Sequence, residues 1–239
     1  MCERHVSSPT RRSWLLAGAS SITLAALARR DAVAAEPPSG NAPNSIPPQQ
    51  ALERLMQGNA RYAANAPSNK DFSAGRAARV DAQYPFAAIV GCADSRVAPE
   101  LAFDQGPGDL FVVRVAGNFV NEDMLASLEY GVEFLGVPLI MVLGHTHCGA
   151  VTATVKVIQD GAQLPGHLPE LVRSLKPAVQ MAKLNPGADL VEQATIENVK
   201  MNTHRLLVSK PLIGQYVKRG KVNVVGGLYD LATGKVTLV

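Results

Sequence analysis

The chain has little of what marks the more specialised protein classes. Aromatic residues make up 5%, with a single tryptophan, Trp14. Only 18% of residues are charged, and the formal net charge is +3. Three cysteines are too few for a disulfide-built mini-scaffold, and their odd number leaves one to explain. A charge of +3 spread over 239 residues is too weak to argue for nucleic acid. The low charge and the 47% hydrophobic content exclude a disordered chain. No internal repeat or long low-complexity tract is present, and no apolar run reaches the roughly 20 residues that span a bilayer. What remains is length enough for one large domain or two small ones, with a core that needs no disulfides.

The first 48 residues differ from the rest. Arg11-Arg12 stand just ahead of an apolar stretch from Trp14 to Ala28, which is interrupted by Gly18, Ser20 and Ser21. Ala32-Val33-Ala34-Ala35 then offers small-residue cleavage sites before Glu36. A basic start, a short apolar core and a small-residue site describe an export signal, and the paired arginines resemble the twin-arginine type. The expectation is a signal at 1–35, cleaved on export to the bacterial periplasm, with no stable membrane anchor afterwards; an uncleaved anchor is the alternative. Removing 1–35 takes away Arg4, Arg11, Arg12, Arg29, Arg30, Glu3 and Asp31, leaving 18 basic and 18 acidic residues. Cys92 and Cys148 are then the remaining cysteines. Residues 36–48, rich in Pro, Asn, Ser and Gly, read as a flexible tether, and 49–239 as the domain proper.

Within that domain strand and helix alternate. Continuous apolar runs at 86–91, 110–115, 138–144 and 222–227 have the character of strands buried on both faces. Helical periodicity recurs at 49–62, 123–135, 149–159, 167–183 and 189–209. A short edge strand is expected at 235–239, after a turn at 230–234. The predicted fold class is α/β: one domain with a mainly parallel sheet of about four strands plus the edge strand, flanked by helices.

Two clusters fall where strands end. Cys92-Ala93-Asp94-Ser95-Arg96 follows the first run, and His145-Thr146-His147-Cys148-Gly149 follows the third. Ligands of an open parallel sheet bind beyond the carboxyl ends of its strands, so both clusters belong to one rim. Cys, His and Cys supply three of the four tetrahedral positions zinc prefers, leaving one open as in catalytic sites. Cys148 stands where a helix should begin, which favours its thiolate. Asp94 and Arg96 can pair, keeping the carboxylate ionised and aimed. Two cysteines in an exported protein also suit one disulfide, and a buried inert thiol is a further alternative. A disulfide, however, requires neither His145 nor Asp94.

Cys92-x-Asp94-Ser95-Arg96 with His145-x-x-Cys148-Gly149 resembles the β-class carbonic anhydrases. The resemblance extends through Phe103-Asp104-Gln105, Gly108 to Arg114, Ala116-Gly117-Asn118, Ser127 to Tyr130 and Gly136-Val137-Pro138, and covers about 49–239. It implies zinc on Cys92, His145 and Cys148, with zinc-bound hydroxide adding to carbon dioxide to give bicarbonate. It further implies Asp94 and Arg96 as the catalytic dyad, and Asp94 as a fourth ligand in an inactive closed state. Pocket positions fall on Gln83, Phe111 and Tyr130, joined by Ala116 and Gly149. The family's pocket is completed across a dimer interface, so a homodimer or tetramer is expected. His147 is a candidate to pass the proton out. The mature chain lacks the tryptophan of the bicarbonate-regulated members, so that regulation is not expected. Val115 stands where many relatives have asparagine.

Two other functions fit parts of the pattern. The same site could hydrolyse a carbon dioxide analogue, carbonyl sulfide or carbon disulfide. A non-catalytic periplasmic binding module carrying a disulfide or zinc is the other.

Overall fold

A computed structural model describes residues 42–239 apart from 69, 74 and 186–188. The expected signal at 1–35 lies outside the described residues. Five strands form one sheet: β1 (Ala87–Gly91), β2 (Leu110–Arg114), β3 (Leu139–His145), β4 (Asn223–Tyr229) and β5 (Val236–Leu238). Their order is β2-β1-β3-β4-β5, parallel except for antiparallel β5. This is the sheet expected from the apolar runs, including its C-terminal edge strand.

The central strand β1 and β3 as far as Gly144 are apolar because successive side chains enter different cores. Ala88, Val90, Ile140, Val142 and Val224 face one side, where helices α4 (Glu122–Leu135), α7 (Leu190–Leu207) and α8 (Ile213–Lys218) pack with Leu128, Val199 and Ile213. Ala87, Ile89, Leu139, Met141 and Leu143 face the other side. There they meet Leu55 of α1 (Pro48–Ala63) and Phe103, which follows α3 (Pro99–Ala102). The two-residue alternation of a pleated strand is therefore present, but both faces are apolar and the sequence shows a continuous run.

The helix ends follow local chemistry. Asn121 caps α4 by accepting from the Met124 N–H at 3.0 Å, and Gly136 ends that helix at φ 66°. Asp189 caps α7 in the same way through Glu192. Three short helices escape periodicity: α3, α8 and α2 (Ala78–Asp81). The start of the packed unit also escapes composition. Asn44, in the proline-rich stretch, is buried and donates to the carbonyls of Pro85 and Leu135 at 3.0 and 2.6 Å. Residues 44–48 therefore dock against the domain. No helix among the described residues is long and apolar enough to cross a membrane.

A buried charge fixes the turn after α3. The Asp104 side chain is 4% exposed. It accepts from Arg61 Nε at 2.6 Å, from the Ser68 N–H and hydroxyl, and from Lys70 Nζ. Burial alone would raise its pKa, but Lys70, Arg61 and Ser68 outweigh that and hold the carboxyl well below the usual range. A lowered folded pKa stabilises the fold above the unfolded value, near 4, and that stabilisation is lost as pH falls through the folded value. Asp104→Ala is expected to cost about 2–4 kcal/mol at pH 7. In urea unfolding the gap to wild type should narrow between about pH 5 and 2. A constant gap would show that the ionised form is not what stabilises.

Candidate metal centre

The order β2-β1-β3 reverses direction at β1, so the topological switch lies between β1 and β3, where a crevice opens beyond the strand ends. The two clusters read from sequence emerge there. Cys92 follows β1, His145 ends β3, and Cys148 caps α5 (Gly149–Asp160). One ligand atom from each of the three lies within 4.8 Å of the others, and all three residues are buried. No other such cluster occurs among the described residues.

Both cysteines are free thiols with sulfurs 4.0 Å apart, which speaks against the disulfide reading. Two sulfurs of a tetrahedral zinc site, each about 2.3 Å from the metal, lie about 3.8 Å apart. The histidine is equally prepared. Its Nδ1 donates to the Thr146 carbonyl at 2.9 Å, which leaves the Nε2 lone pair free. Nε2 is buried with no hydrogen-bond partner among the described residues. An orphaned buried nitrogen beside two buried sulfurs is costly unless a metal unites them. The donor set fits zinc.

The three groups share protons unevenly, and Cys148 is not the favoured thiolate that its place at a helix start suggested. The contact with the Cys148 sulfur, opposed by burial and helped by His145 and by the Gly117 N–H at 3.2 Å, lowers the Cys92 pKa. The same shared proton, with burial, pushes Cys148 up. Burial works against charge on His145, but the Cys92 thiolate outweighs it and raises that pKa. Val151, Val155, Leu175 and Val179, from α5 and α6 (Leu168–Ala182), close an apolar cluster over the sulfurs.

Asp94 stands beside the ligands, with Oδ2 3.8 Å from His145 Nε2. Its carboxylate accepts from the Arg96 N–H, Nε and Nη2 at 3.0, 2.9 and 2.7 Å. That guanidinium holds the carboxyl well below the usual range. His147 is exposed at φ 54°, and its carbonyl accepts from Arg96 Nη2 at 3.3 Å. Ala116 is half-buried beside Gly117, and Gly149 is exposed at the start of α5.

The remaining pocket positions lie elsewhere in the chain. Gln83 and Tyr130 line a groove of about 640 Å³ together with Tyr84 and Phe134. Phe111 pairs with Ala88, four residues before Cys92, and its ring centroid is 6.5 Å from that of Tyr130. Within one chain these three form a group of their own at the β2 side of the sheet.

Several supports had no role in the sequence reading. Gly117, at φ 84°, brings its N–H to Cys92, and a Cβ there would come within 2.8 Å of Leu175. Asn198 of α7 donates to the Gly117 carbonyl at 2.8 Å. Gly117 comes three residues after the end of β2, and a glycine just past a strand end is the signal that could have found this support. Val115, in place of asparagine, pairs through its backbone with Gly91 and Ala93 and packs its side chain on the core.

Known proteins give the same answer from another direction. Residues 87–236 match the model of the family described as carbonic anhydrase. The carbonic anhydrase of Mycolicibacterium smegmatis is 39% identical over 197 residues, covering 82% of this chain and 95% of the relative. Carbonic anhydrase 2 of Mycobacterium tuberculosis is 38% identical, covering 80% and 92%. Among solved structures, the Coccomyxa β-carbonic anhydrase in complex with acetazolamide aligns at TM-score 0.62 and 27% identity, over 79% of this chain and 86% of that one. With sequence family, fold and buried Cys-His-Cys cluster in agreement, the chain belongs to the β-class carbonic anhydrase family.

Proposed function

We propose that the protein catalyses reversible hydration of carbon dioxide to bicarbonate and a proton, with zinc on Cys92, His145 and Cys148. One observation carries the reading: a buried imidazole with a free Nε2 converges with two buried thiols at the sheet's switch point. Bound there, zinc would make hydroxide available at neutral pH, by lowering the pKa of water from about 15.7 towards 7.

The chain's own residues do the rest. Thr146 fixes the His145 ring, and the Gly117 N–H supports the Cys92 sulfur. Asp94, kept ionised by Arg96, accepts the hydrogen bond of the attacking oxygen and turns its lone pair towards the carbon. Ala116 and the apolar cluster over the sulfurs limit water around the reacting carbon.

The groove of Gln83 and Tyr130 supports an oligomer. Val80, Tyr84 and Tyr130, which line it, are 79%, 45% and 44% exposed, an uncommon cost in a monomer. A second copy packed there would let Gln83, Phe111 and Tyr130 complete the partner's pocket, in a homodimer or tetramer. Export to the periplasm rests on the signal features of residues 1–35 and is tested by sequencing the N-terminus of the chain recovered from a periplasmic fraction.

Stopped-flow hydration of carbon dioxide by the zinc-loaded protein tests the activity. Turnover that acetazolamide suppresses is the expected result. Turnover of carbonyl sulfide or carbon disulfide without that of carbon dioxide would overturn the reading, as would a loaded protein with no turnover.

A further inference from the structure

Arg114 is the last residue of β2 and pairs with Gly91. Its side chain crosses to the loop that leaves β1. Nε donates to the Cys92 carbonyl at 2.8 Å, and Nη2 donates to the carbonyls of Asp94 and Val97 at 2.7 and 2.8 Å. One guanidinium thus gathers three carbonyls from the short loop that carries both a metal ligand and the dyad carboxylate. The planar fork suits this task, because its donors point in fixed directions, whereas a lysine ammonium is a single point on a flexible stem.

The need for such a tie follows from the position of Asp94. Its side chain is held by Arg96, which is itself 54% exposed, and its Oδ2 is already 3.8 Å from His145 Nε2. A small drift of the loop would carry the carboxylate from the guanidinium to the metal. We propose that Arg114 is a positioning residue: it fixes the main chain of residues 92–97 so that Asp94 stays on Arg96 and the fourth metal position stays open. This inference rests on the metal site proposed above. Arg114 touches neither substrate nor metal and acts through Asp94.

The test compares Arg114→Ala, Arg114→Lys and Asp94→Asn, with Arg114→Ala also made on the Asp94→Asn background. Each is prepared in zinc- and cobalt-loaded form. The visible spectrum of the cobalt protein, titrated with thiocyanate, reads whether the fourth position is open. In Arg114→Ala, metal stoichiometry should stay at one per chain, thiocyanate affinity should fall about tenfold or more, and kcat should fall about 10–100-fold with KM little changed, the scale of other outer-shell supports. On the Asp94→Asn background the arginine substitution should leave thiocyanate affinity unaltered. Arg114→Lys, the milder change, should move thiocyanate affinity and kcat in the same direction and answers the question if the alanine variant does not fold. Wild-type thiocyanate affinity and kcat in Arg114→Lys would overturn the proposal. An undiminished effect of Arg114→Ala on the Asp94→Asn background would also overturn it, as would loss of metal from Arg114→Lys. If the wild-type protein turns over no carbon dioxide, the assigned reaction fails, while the thiocyanate comparison still reports on Arg114.

Discussion

Cys148→Ser is expected to lose zinc and about a thousandfold or more of the hydration rate, while folding is largely retained. Serine is nearly the same size, so the apolar cluster around position 148 stays filled. The chemistry changes completely. A hydroxyl titrates far above neutral pH and offers a hard oxygen where zinc favours a thiolate. Without the metal, hydroxide at neutral pH is scarce by many orders of magnitude. Atomic emission should find well under one zinc per chain, stopped flow a rate near the uncatalysed one, and circular dichroism an ordinary helix and strand content. A folded variant that keeps its rate would sink the metal assignment.

Gly58→Ala is expected to unfold the protein at distinctly lower urea concentration, against what helix propensity alone predicts. Gly58 lies inside α1, where alanine would gain about 1 kcal/mol as a helix former. A Cβ at this position would sit 1.9 Å from the Phe103 carbonyl oxygen and 2.9 Å from Gln105 Nε2. The closest atom is backbone and cannot rotate away. Relief requires α1 to move off the turn that holds Phe103 and Asp104, which strains the Asn59 bond to the Ala102 carbonyl and the Arg61 bond to Asp104. Overpacking costs typically 1–3 kcal/mol, and a backbone approach this close belongs at the upper end, so after the helix-propensity gain of about 1 kcal/mol the net loss should be about 2 kcal/mol. Equilibrium urea unfolding at unchanged slope measures it. A stabilised variant would mean that the helix slides freely over the turn.

How far the sequence reached depended on how far a signal extended along the chain. Runs such as 86–91 and 138–144 were legible as strands because burial on both faces leaves no polar position inside them. The single turns α2 and α3 contain too few residues to express a period, and Asn44 is hidden because its two bonds go to carbonyls far away in sequence. The candidate ligands Cys92, His145 and Cys148 were legible because their residue types are rare and they fall just past strands that end at the switch point. Arg114 was matched by motif but given no task, since a charge at a strand end reads as a boundary and its three acceptors are main-chain carbonyls. Gln83, Phe111 and Tyr130 came through the family resemblance, and one chain alone holds them apart from the ligands.

The strand order also sets a tempo. Ala88 must find Ile140, and Ile140 must find Val224, before the crevice that holds the ligands is complete. Pairings closed over such long stretches of chain are slow compared with the growth of single helices. For that interval Cys92 and Cys148 are separate, solvent-accessible thiols on an unfinished sheet. An oxidant met during assembly would join them to whatever thiol is nearest, whereas one met afterwards finds both buried. The chain's most vulnerable period is therefore its own folding time, before the core closes over both sulfurs.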